Sequence, residues 1–426
     1  MNLLVRSALH ALSRNRVAAI AFGAGAFVLA ACESAGTGSG TNPSSLGFLA
    51  NGVPVTTPTP VYSFQSYTAP PGFDDTKITG INDDKGTGKT ITDPEVPPIV
   101  GVYYGVGTNQ KYNSFYALRM TNGLYGPSMP YPPGAPSGVS VYISAINQNE
   151  ANHTWGAAGY SPPIPGSYGG VCTSTYCGLI YDPKALTKLG KLYQVQDPST
   201  GTRPCSATYL SGTSPSTVQV GYYTDNNCKA HAFEEYKYPG VLPQFVSFQF
   251  PSSLGCSATG QSWAYGINRL GDVVGACTTP SGSEIGWEYV DFQYSPIVVN
   301  GLWTQALGIN PPDQMVGSYK DSTGMHGFVG SANANGTGLG TVYTINYMVG
   351  TMKYPTVVNS ISILQTLVGW YYNNGTTANS PVTGFIATCD KSKMQCPSNA
   401  ATTSDLSEGR RSTSARGIGS ANRQRP

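Results

Sequence analysis

The chain has 426 residues, with 24 Lys plus Arg against 22 Asp plus Glu, and only 11% of its residues are charged. Average soluble domains carry about 25%, and no basic stripe stands out here, so a phosphate-tracking nucleic-acid surface is not expected. The 52 Gly, 32 Pro and 28 Tyr are poor material for helices. With short runs of Val, Ile, Tyr and Phe between them, they predict an all-β fold of many short strands.

At the N-terminus, Arg6, Arg14 and Arg16 form a positive leader without acids, followed by an uncharged run from Val17 to Ala31. A spanning helix needs about 20 apolar residues, so residues 1–31 read instead as a secretion signal. The junction Leu29-Ala30-Ala31-Cys32 resembles the lipobox of bacterial lipoproteins. That resemblance implies cleavage before Cys32, diacylation of its sulfur, palmitate being one such acyl group, and attachment to a membrane. Each buried CH₂ contributes about 0.8 kcal/mol to such anchoring. The alternative is an ordinary signal cut near a chance cysteine. Residues 32–60 then read as the lipidated Cys and a flexible tether rich in Gly, Ser, Thr and Pro. Glu33 rather than Asp after the cysteine leans toward the outer membrane. The expected location is the cell envelope, periplasmic or surface-exposed.

Residues 397–426 read as a disordered basic tail. The signal holds three Arg, and residues 404–426 hold five Arg and two acids. Subtracting both from 24 and 22 leaves 16 bases and 20 acids for residues 33–403, a net of −4.

Beyond Cys32 there are eight cysteines: Cys172, Cys177, Cys205, Cys228, Cys256, Cys277, Cys389 and Cys396. An even number in an exported chain suggests four disulfides, although eight cysteines allow 105 pairings. Sequence neighbours are the preferred pairs: 172–177, 205–228, 256–277 and 389–396. A zinc site is disfavoured because no C-x-x-C occurs and histidines are few.

Residues 61–396 carry an internal repeat. Its first part reads Gly80-Ile81-Asn82, Ala145-Ile146-Asn147, Gly212-Thr213-Ser214, Gly266-Ile267-Asn268, Gly308-Ile309-Asn310 and Ser360-Ile361-Ser362. Its second reads Val100-Gly101, Trp155-Gly156, Val220-Gly221, Val274-Gly275, Val316-Gly317 and Val368-Gly369. Its third reads Ser114-Phe115, Gly178-Leu179, Ala232-Phe233, Gly286-Trp287, Gly327-Phe328 and Gly384-Phe385. An alternating segment precedes most copies: 61–67, 192–197, 245–250 and 342–347. Alternation is the period of a half-buried strand. Four strands per unit, with the alternating segment as the first, predict a β-propeller of about six four-stranded blades. Seven blades or an open array are the alternatives.

Val-Gly-Tyr-Tyr-Thr-Asp at 220–225, followed by His231-Ala232-Phe233, resembles the bacterial extracellular HAF-repeat family. The order at 308–328 is similar again. The resemblance covers about residues 61–389 and implies an exported, propeller-like protein without implying an enzymatic activity. This chain departs from the pattern by keeping the His in two copies and by insertions in the first three.

No catalytic constellation emerges. There is no G-x-S-x-G elbow and no H-E-x-x-H, and Gly88-Lys89-Thr90 lacks the leading Gly of a P-loop. His231 and His326 occupy equivalent repeat positions, either as structural hydrogen-bonding residues or as ligands converging near the axis. Asp74, Asp75, Asp83, Asp84, Asp225 and Asp321 read mostly as turn caps. No cofactor is expected; calcium is the one ion that loop Asp and Asn oxygens would admit, without the dense D-x-D-x-D-G pattern. Tyr103, Tyr223, Tyr319 and Tyr371 each follow the repeat Gly by two residues, with Tyr104, Tyr222, Trp370 and Tyr372 beside them. They either fill gaps between blades or present rings for ligand binding.

The expectation is a membrane-anchored, non-enzymatic scaffold for polysaccharide or protein, with variable loops at 84–98, 124–140 and 157–176. The alternatives are a carbohydrate-active enzyme with carboxylates at the propeller mouth, and a structural envelope lipoprotein. Convergent carboxylates would favour the enzyme, and an aromatic face the scaffold.

Overall fold

A computed structural model describes residues 52–55, 62–68, 73–81, 99–104, 112–117, 129–130, 139–149, 154–164, 168–169, 172–182, 191–214, 218–236, 244–333, 338–374, 380–389 and 396. Cys32, Asp83, Asp84, His153, the signal, most of the tether, the tail and loop 84–98 lie outside them. Among the described residues no helix is long and apolar enough to cross a membrane.

Strand β1 (Tyr62–Tyr67) is followed by six inner strands, each of which opens a blade. Blade 1 holds β2 (Asp75–Ile81), β3 (Ile99–Tyr104), β4 (Tyr112–Ala117) and β5 (Met129–Pro130). Blade 2 holds β6 (Tyr142–Asn149), β7 (Thr154–Ser161), β9 (Cys177–Asp182) and β10 (Lys191–Val195), with β8 (Tyr168–Gly169) added at its edge. Blade 3 holds β11 (Thr208–Thr213), β12 (Val218–Thr224), β13 (Ala230–Tyr236) and β14 (Gln244–Ser247). Blade 4 holds β15 (Ser262–Ile267), β16 (Val273–Thr278), β17 (Glu284–Val290) and β18 (Gln293–Ile297). Blade 5 holds β19 (Thr304–Ile309), β20 (Gln314–Asp321), β21 (Gly324–Ala332) and β22 (Leu339–Ile345). A hairpin, β23 (Tyr347–Val349) and β24 (Met352–Tyr354), leads to blade 6: β25 (Thr356–Ile361), β26 (Thr366–Tyr372) and β27 (Val382–Cys389). Its fourth strand is β1, paired antiparallel with β27 from Tyr62↔Cys389 to Tyr67↔Gly384.

Each inner strand touches its two neighbours, and β25 returns to β2. The chain is therefore a closed six-bladed β-propeller, and a strand from the front of the sequence completes the last blade. The sequence unit and the blade are out of step by one strand. The alternating segments 61–67, 192–197, 245–250 and 342–347 were expected to open their own units. They form β1, β10, β14 and β22, the fourth strands of the preceding blades. A strand at the blade's periphery has one half-solvated face, so it alternates; an inner strand packs on both faces and does not.

The repeated residues meet at one point in every blade. The inner strand bulges between residues 78/80, 143/145, 210/212, 264/266, 306/308 and 358/360. The bulge turns a carbonyl toward the second strand. A Cβ on Gly221, Gly275, Gly317 or Gly369 would lie 1.9–2.0 Å from the carbonyl oxygen of Tyr209, Trp263, Gln305 or Val357. Only glycine fits there. A large apolar side chain of the third strand stands opposite the same glycine: Phe115, Leu179, Phe233, Trp287, Phe328 and Phe385 pair with Gly101, Gly159, Gly221, Gly275, Gly317 and Gly369. All six are at most 1% exposed, and burial of one such side chain contributes about 1.5–3 kcal/mol. In blade 2 the glycine at this point is Gly159, not Gly156. The longer hairpin there pairs Asn147 with Gly156 and delays the bulge partner.

The Asn of the repeat staples blades at the base of the channel. Asn268 Nδ2 donates to Asp272 Oδ2 at 2.8 Å and to the Asn310 carbonyl of the next blade at 3.1 Å. Asn310 Nδ2 donates to Gln314 Oε1 at 2.9 Å and to the Ser362 carbonyl, again one blade on, at 3.1 Å. Their Oδ1 atoms accept the N–H groups of Asp272 and Gln314, closing each hairpin. One side chain thus satisfies groups in two blades, where an unpaired buried polar group would cost about 1–3 kcal/mol.

All four disulfides join sequence neighbours: Cys172–Cys177, Cys205–Cys228, Cys256–Cys277 and Cys389–Cys396. The first three tie loops on the face where the inner strands begin. Within the segment read as tether, Gly52–Val55 lies against the ring, with Val53 bridged to Val299 and Val55 to Val342. Of the expected loop 157–176, residues 157–161 belong to β7, and in 124–140 residues 129–130 form β5.

Candidate functional site: the aromatic mouth of the channel

The axial channel narrows where the inner strands come closest. A Cβ on Gly266 would lie 3.0 Å from the Gly308 Cα, and one on Gly308 3.0 Å from the Ser360 Cα. Above this constriction, at the N-terminal ends of the inner strands, the channel opens into a funnel.

The bulge decides which side chains face the funnel. Immediately before it, six cross-strand pairs occupy one register position around the ring. They are Lys77/Val102, Tyr142/Tyr160, Tyr209/Tyr222, Trp263/Ala276, Gln305/Ser318 and Val357/Trp370. Two residues on, a smaller layer of Thr79, Ser144, Ser211, Tyr265, Leu307 and Asn359 lines the throat. Thr79 Oγ1 donates to the Ile143 carbonyl at 2.6 Å, and Asn359 Nδ2 donates to the Thr79 carbonyl. The throat is thereby braced across blades 6, 1 and 2.

The rings form an arc over blades 2 and 3. Tyr142 stacks on Tyr160 with centroids 4.7 Å apart, Tyr160 meets Tyr209 edge-on at 4.8 Å, and Tyr209 stacks on Tyr222 at 4.7 Å. Trp263 packs in the same cluster. Burial pushes the hydroxyls of Tyr142, Tyr209 and Tyr222 above their ordinary range, with neighbouring tyrosines adding to it for the last two. They stay protonated and able to donate. Across the funnel stand Trp370 and Tyr372, and the Lys77 ammonium lies 5.3 Å from the Trp370 ring centre. Such a cation–π contact orients the ammonium.

Lys77 is the one charged residue among the described residues lining the funnel. Glu284 stands one layer back, its Oε2 accepting from Gln305 Nε2 at 2.7 Å. Burial pushes Glu284 up to about 7, against the hydrogen bond from Gln305. Asp75 is held by the Val382 N–H at 2.8 Å, and burial raises it above its ordinary value against that bond and the Lys77 charge. Among the described residues no group of three or more His, Cys, Asp or Glu is placed to hold a metal ion.

The residues singled out from sequence lie elsewhere. Tyr103 stacks on Phe115 at 4.4 Å between blades 1 and 6, and Tyr319 hydrogen-bonds Thr344 at 2.7 Å within blade 5. Tyr223 stacks on His231 at 5.0 Å, and Tyr371 on Tyr347 at 3.7 Å. His231 and His326 sit on third strands and clamp the hairpin of their own blade. His231 Nε2 lies 3.1 Å from Asp225 and His326 Nε2 lies 3.0 Å from Asp321. Asp225 in turn accepts the N–H groups of Asn227 and Lys229. The two histidines do not line the funnel. Tyr222, Trp370 and Tyr372, their sequence neighbours, do. Sequence reasoning missed Lys77, Tyr142, Tyr160, Tyr209, Tyr265 and Gln305. The available signal was the side chain opposite the residue that follows each repeat glycine.

No family model and no curated protein matches the sequence. Among solved structures, Trypanosoma rangeli sialidase in complex with sialic acid is similar at a TM-score of 0.41 and 10% identity, over 76% of this chain and 56% of that one. The chain thus spans little more than half the length of these sialidases. An α-L-arabinofuranosidase from Podospora anserina, in complex with cellotriose, is similar at a TM-score of 0.34 and 12% identity, over 77% of this chain and 96% of that one. At these scores the likeness carries no functional weight, and the fold stands on the strand order of the ring.

Proposed function

We propose that this chain is an exported, lipid-anchored scaffold of HAF-repeat type that binds a glycan in the aromatic funnel without cleaving it. The observation that carries this reading is the set of paired positions before the six bulges, where Tyr142, Tyr160, Tyr209, Tyr222 and Trp370 supply flat apolar faces. Tyrosine and tryptophan combine such faces with polar tips at low entropic cost. Ser, Thr and Asn in the throat and Gln305 above them supply hydrogen-bonding groups. Three disulfides hold the loops of this face, which lowers the ordering cost of binding.

Hydrolysis of a glycosidic bond ordinarily needs two carboxylates flanking the substrate. Glu284 favours the enzymatic alternative, because a buried acid near 7 suits proton transfer. It lacks a partner carboxylate among the described funnel residues and lies behind Gln305. The anchor and the cell-envelope location are supported by the lipobox-like junction at Cys32.

The test is the chain expressed where disulfides form, screened against envelope and host polysaccharides with binding and chain length recorded together. Saturable binding with intact glycan is the expected result. Shortened glycan would overturn the reading and direct attention to Glu284. Silence on both counts would favour a protein-binding or structural role.

A further inference from the structure

We infer that the β23–β24 hairpin is a membrane-contacting element, whose apolar tip enters the headgroup boundary of a lipid bilayer and turns the funnel face toward it. The hairpin pairs Tyr347 with Tyr354, Met348 with Lys353 and Val349 with Met352. Its root is fixed. Tyr347 stacks on Tyr371 at 3.7 Å and meets Phe64 edge-on at 5.4 Å, and its N–H donates to Thr356 Oγ1 at 2.9 Å. Its tip is bare: Met348, Val349 and Met352 are 48%, 55% and 63% exposed. The other exposed large apolar residues among the described ones, Val246, Phe292 and Leu364, lie apart on blades 3, 4 and 6. Single exposed apolar residues are ordinary, whereas a cluster marks a surface that something covers.

A bilayer fits this tip by placement and by composition. β22 ends and β25 begins on the funnel face, so the hairpin between them rises from that face. The connection one blade earlier, residues 298–303, holds the incoming chain. Val53 N–H donates to the Val298 carbonyl at 3.0 Å, and Asn300 N–H donates to the Val53 carbonyl at 3.1 Å. The chain from Cys32 thus joins the ring on the face that carries the hairpin. A Gly/Ser-rich linker of about 20 residues spans roughly 25 Å, so a lipid on Cys32 holds this face near the bilayer; that step alone rests on the anchor reading above. In composition, residues 347–354 contain no acid, with Met and Val at the tip, Tyr347 and Tyr354 at the root and an exposed Lys353 between them. Apolar groups at depth, Tyr at headgroup level and a Lys stem that carries its ammonium back to the surface follow the layering of a bilayer interface. Three side chains fall far short of the roughly 800 Å² per partner of a stable protein interface. Beside a lipid anchor they need only set orientation.

The experiment uses the full mature chain from residue 32, its Cys32 thiol coupled to maleimide-bearing lipid in phosphatidylcholine vesicles, so that the result does not depend on acylation in the cell. The indole introduced by Val349→Trp should be quenched by lipids brominated on their acyl chains. That introduced by Leu364→Trp, on the turn between β25 and β26 at the opposite face, should not. Oxidation of Met352 by a membrane-impermeant oxidant should slow at least about fivefold on coupling to vesicles, as for an apolar group withdrawn from water. Met348→Ser combined with Val349→Ser should return that rate to the value of the uncoupled chain, with an unchanged unfolding midpoint. An unquenched Val349→Trp, equal quenching of Leu364→Trp, or unslowed oxidation of Met352 would each overturn the inference. Slowed oxidation without vesicles, as protein concentration rises, would overturn it too and give the tip to a second copy of the chain. The mass of Cys32 in chain recovered from membranes tests the anchor separately, and the polysaccharide screen tests the glycan.

Discussion

At the base of the channel, Asn268, Asn310 and Ser362 fill one position in three successive blades, and the two asparagines link blade 4 to blade 5 and blade 5 to blade 6. At the mouth, a single position is filled by Lys77, Tyr142, Tyr209, Trp263, Gln305 and Val357. The same six strands carry both rings of residues. The base repeats because every blade must solve the same closure problem: a carbonyl turned by the bulge, a large apolar side chain over a glycine, and a hairpin to cap. The mouth is released from that constraint, since most of its side chains line the funnel. Residues that repeat build the ring, and residues that break the repeat at a fixed register build the site.

The contrast can be broken first at the bulge. Gly275→Ala would place a Cβ 2.0 Å from the Trp263 carbonyl and 2.5 Å from the Trp287 ring. A loss of about 3 kcal/mol is expected in denaturant unfolding. Next comes the base ring. Asn310→Ala removes two donated bonds and one accepted bond and should cost about 2 kcal/mol, with ligand affinity preserved in the variant that remains folded.

A smaller effect, and one with a sign, belongs to Glu284 behind the mouth. In the folded chain it keeps its proton up to about 7, against an ordinary value of 4.5. The folded state therefore binds more protons between those values. This favours folding at low pH and is lost as pH rises from about 4.5 to 7. Glu284→Gln should accordingly gain stability relative to the parent over that window, by on the order of 1–2 kcal/mol, and hold a constant difference above it. Unfolding midpoints at pH 5 and pH 8 check this. A difference independent of pH would show that Glu284 ionises normally.

The smallest effect sharpens the comparison at the base itself. Gly271 has φ of +90° with nothing within 4 Å of its missing Cβ. Asp313 and Gln365 take positive φ at equivalent turns. Gly271→Ala should cost only about 1 kcal/mol, the strain of the left-handed region, although it lies four residues from Gly275.

How much of this was legible follows from the same division. The Gly-Ile-Asn, Val-Gly and Gly-Phe elements could be read because steric demands at Gly221, Gly275, Gly317 and Gly369 recur with every blade. The neighbour pairing of the cysteines could be read because each pair closes within a short stretch. The offset between unit and blade could not, because pairing of β1 with β27 joins residues more than 300 apart in sequence. Gly159 was hidden by the longer hairpin of blade 2. The funnel was half legible. Period-2 alternation says that Trp370 and Tyr371 face opposite ways, but not which faces the axis. The bulge decides that, and no residue type in the inner strand announces it. Lys77 and Tyr142 had no signal of their own, since a site assembled from one residue per blade has no local motif.

The most direct test therefore uses two adjacent, half-buried aromatics on β26. Trp370 lines the funnel, and Tyr371 stacks on Tyr347 outside it. Glycan affinity of Trp370→Ala and Tyr371→Ala, each measured beside its unfolding midpoint, separates site from scaffold. The account predicts at least a tenfold loss of affinity for Trp370→Ala, with Tyr371→Ala binding as the parent does at some cost in stability. Loss of binding in Tyr371→Ala with retention in Trp370→Ala would contradict it and place the ligand on the outer face of the blade.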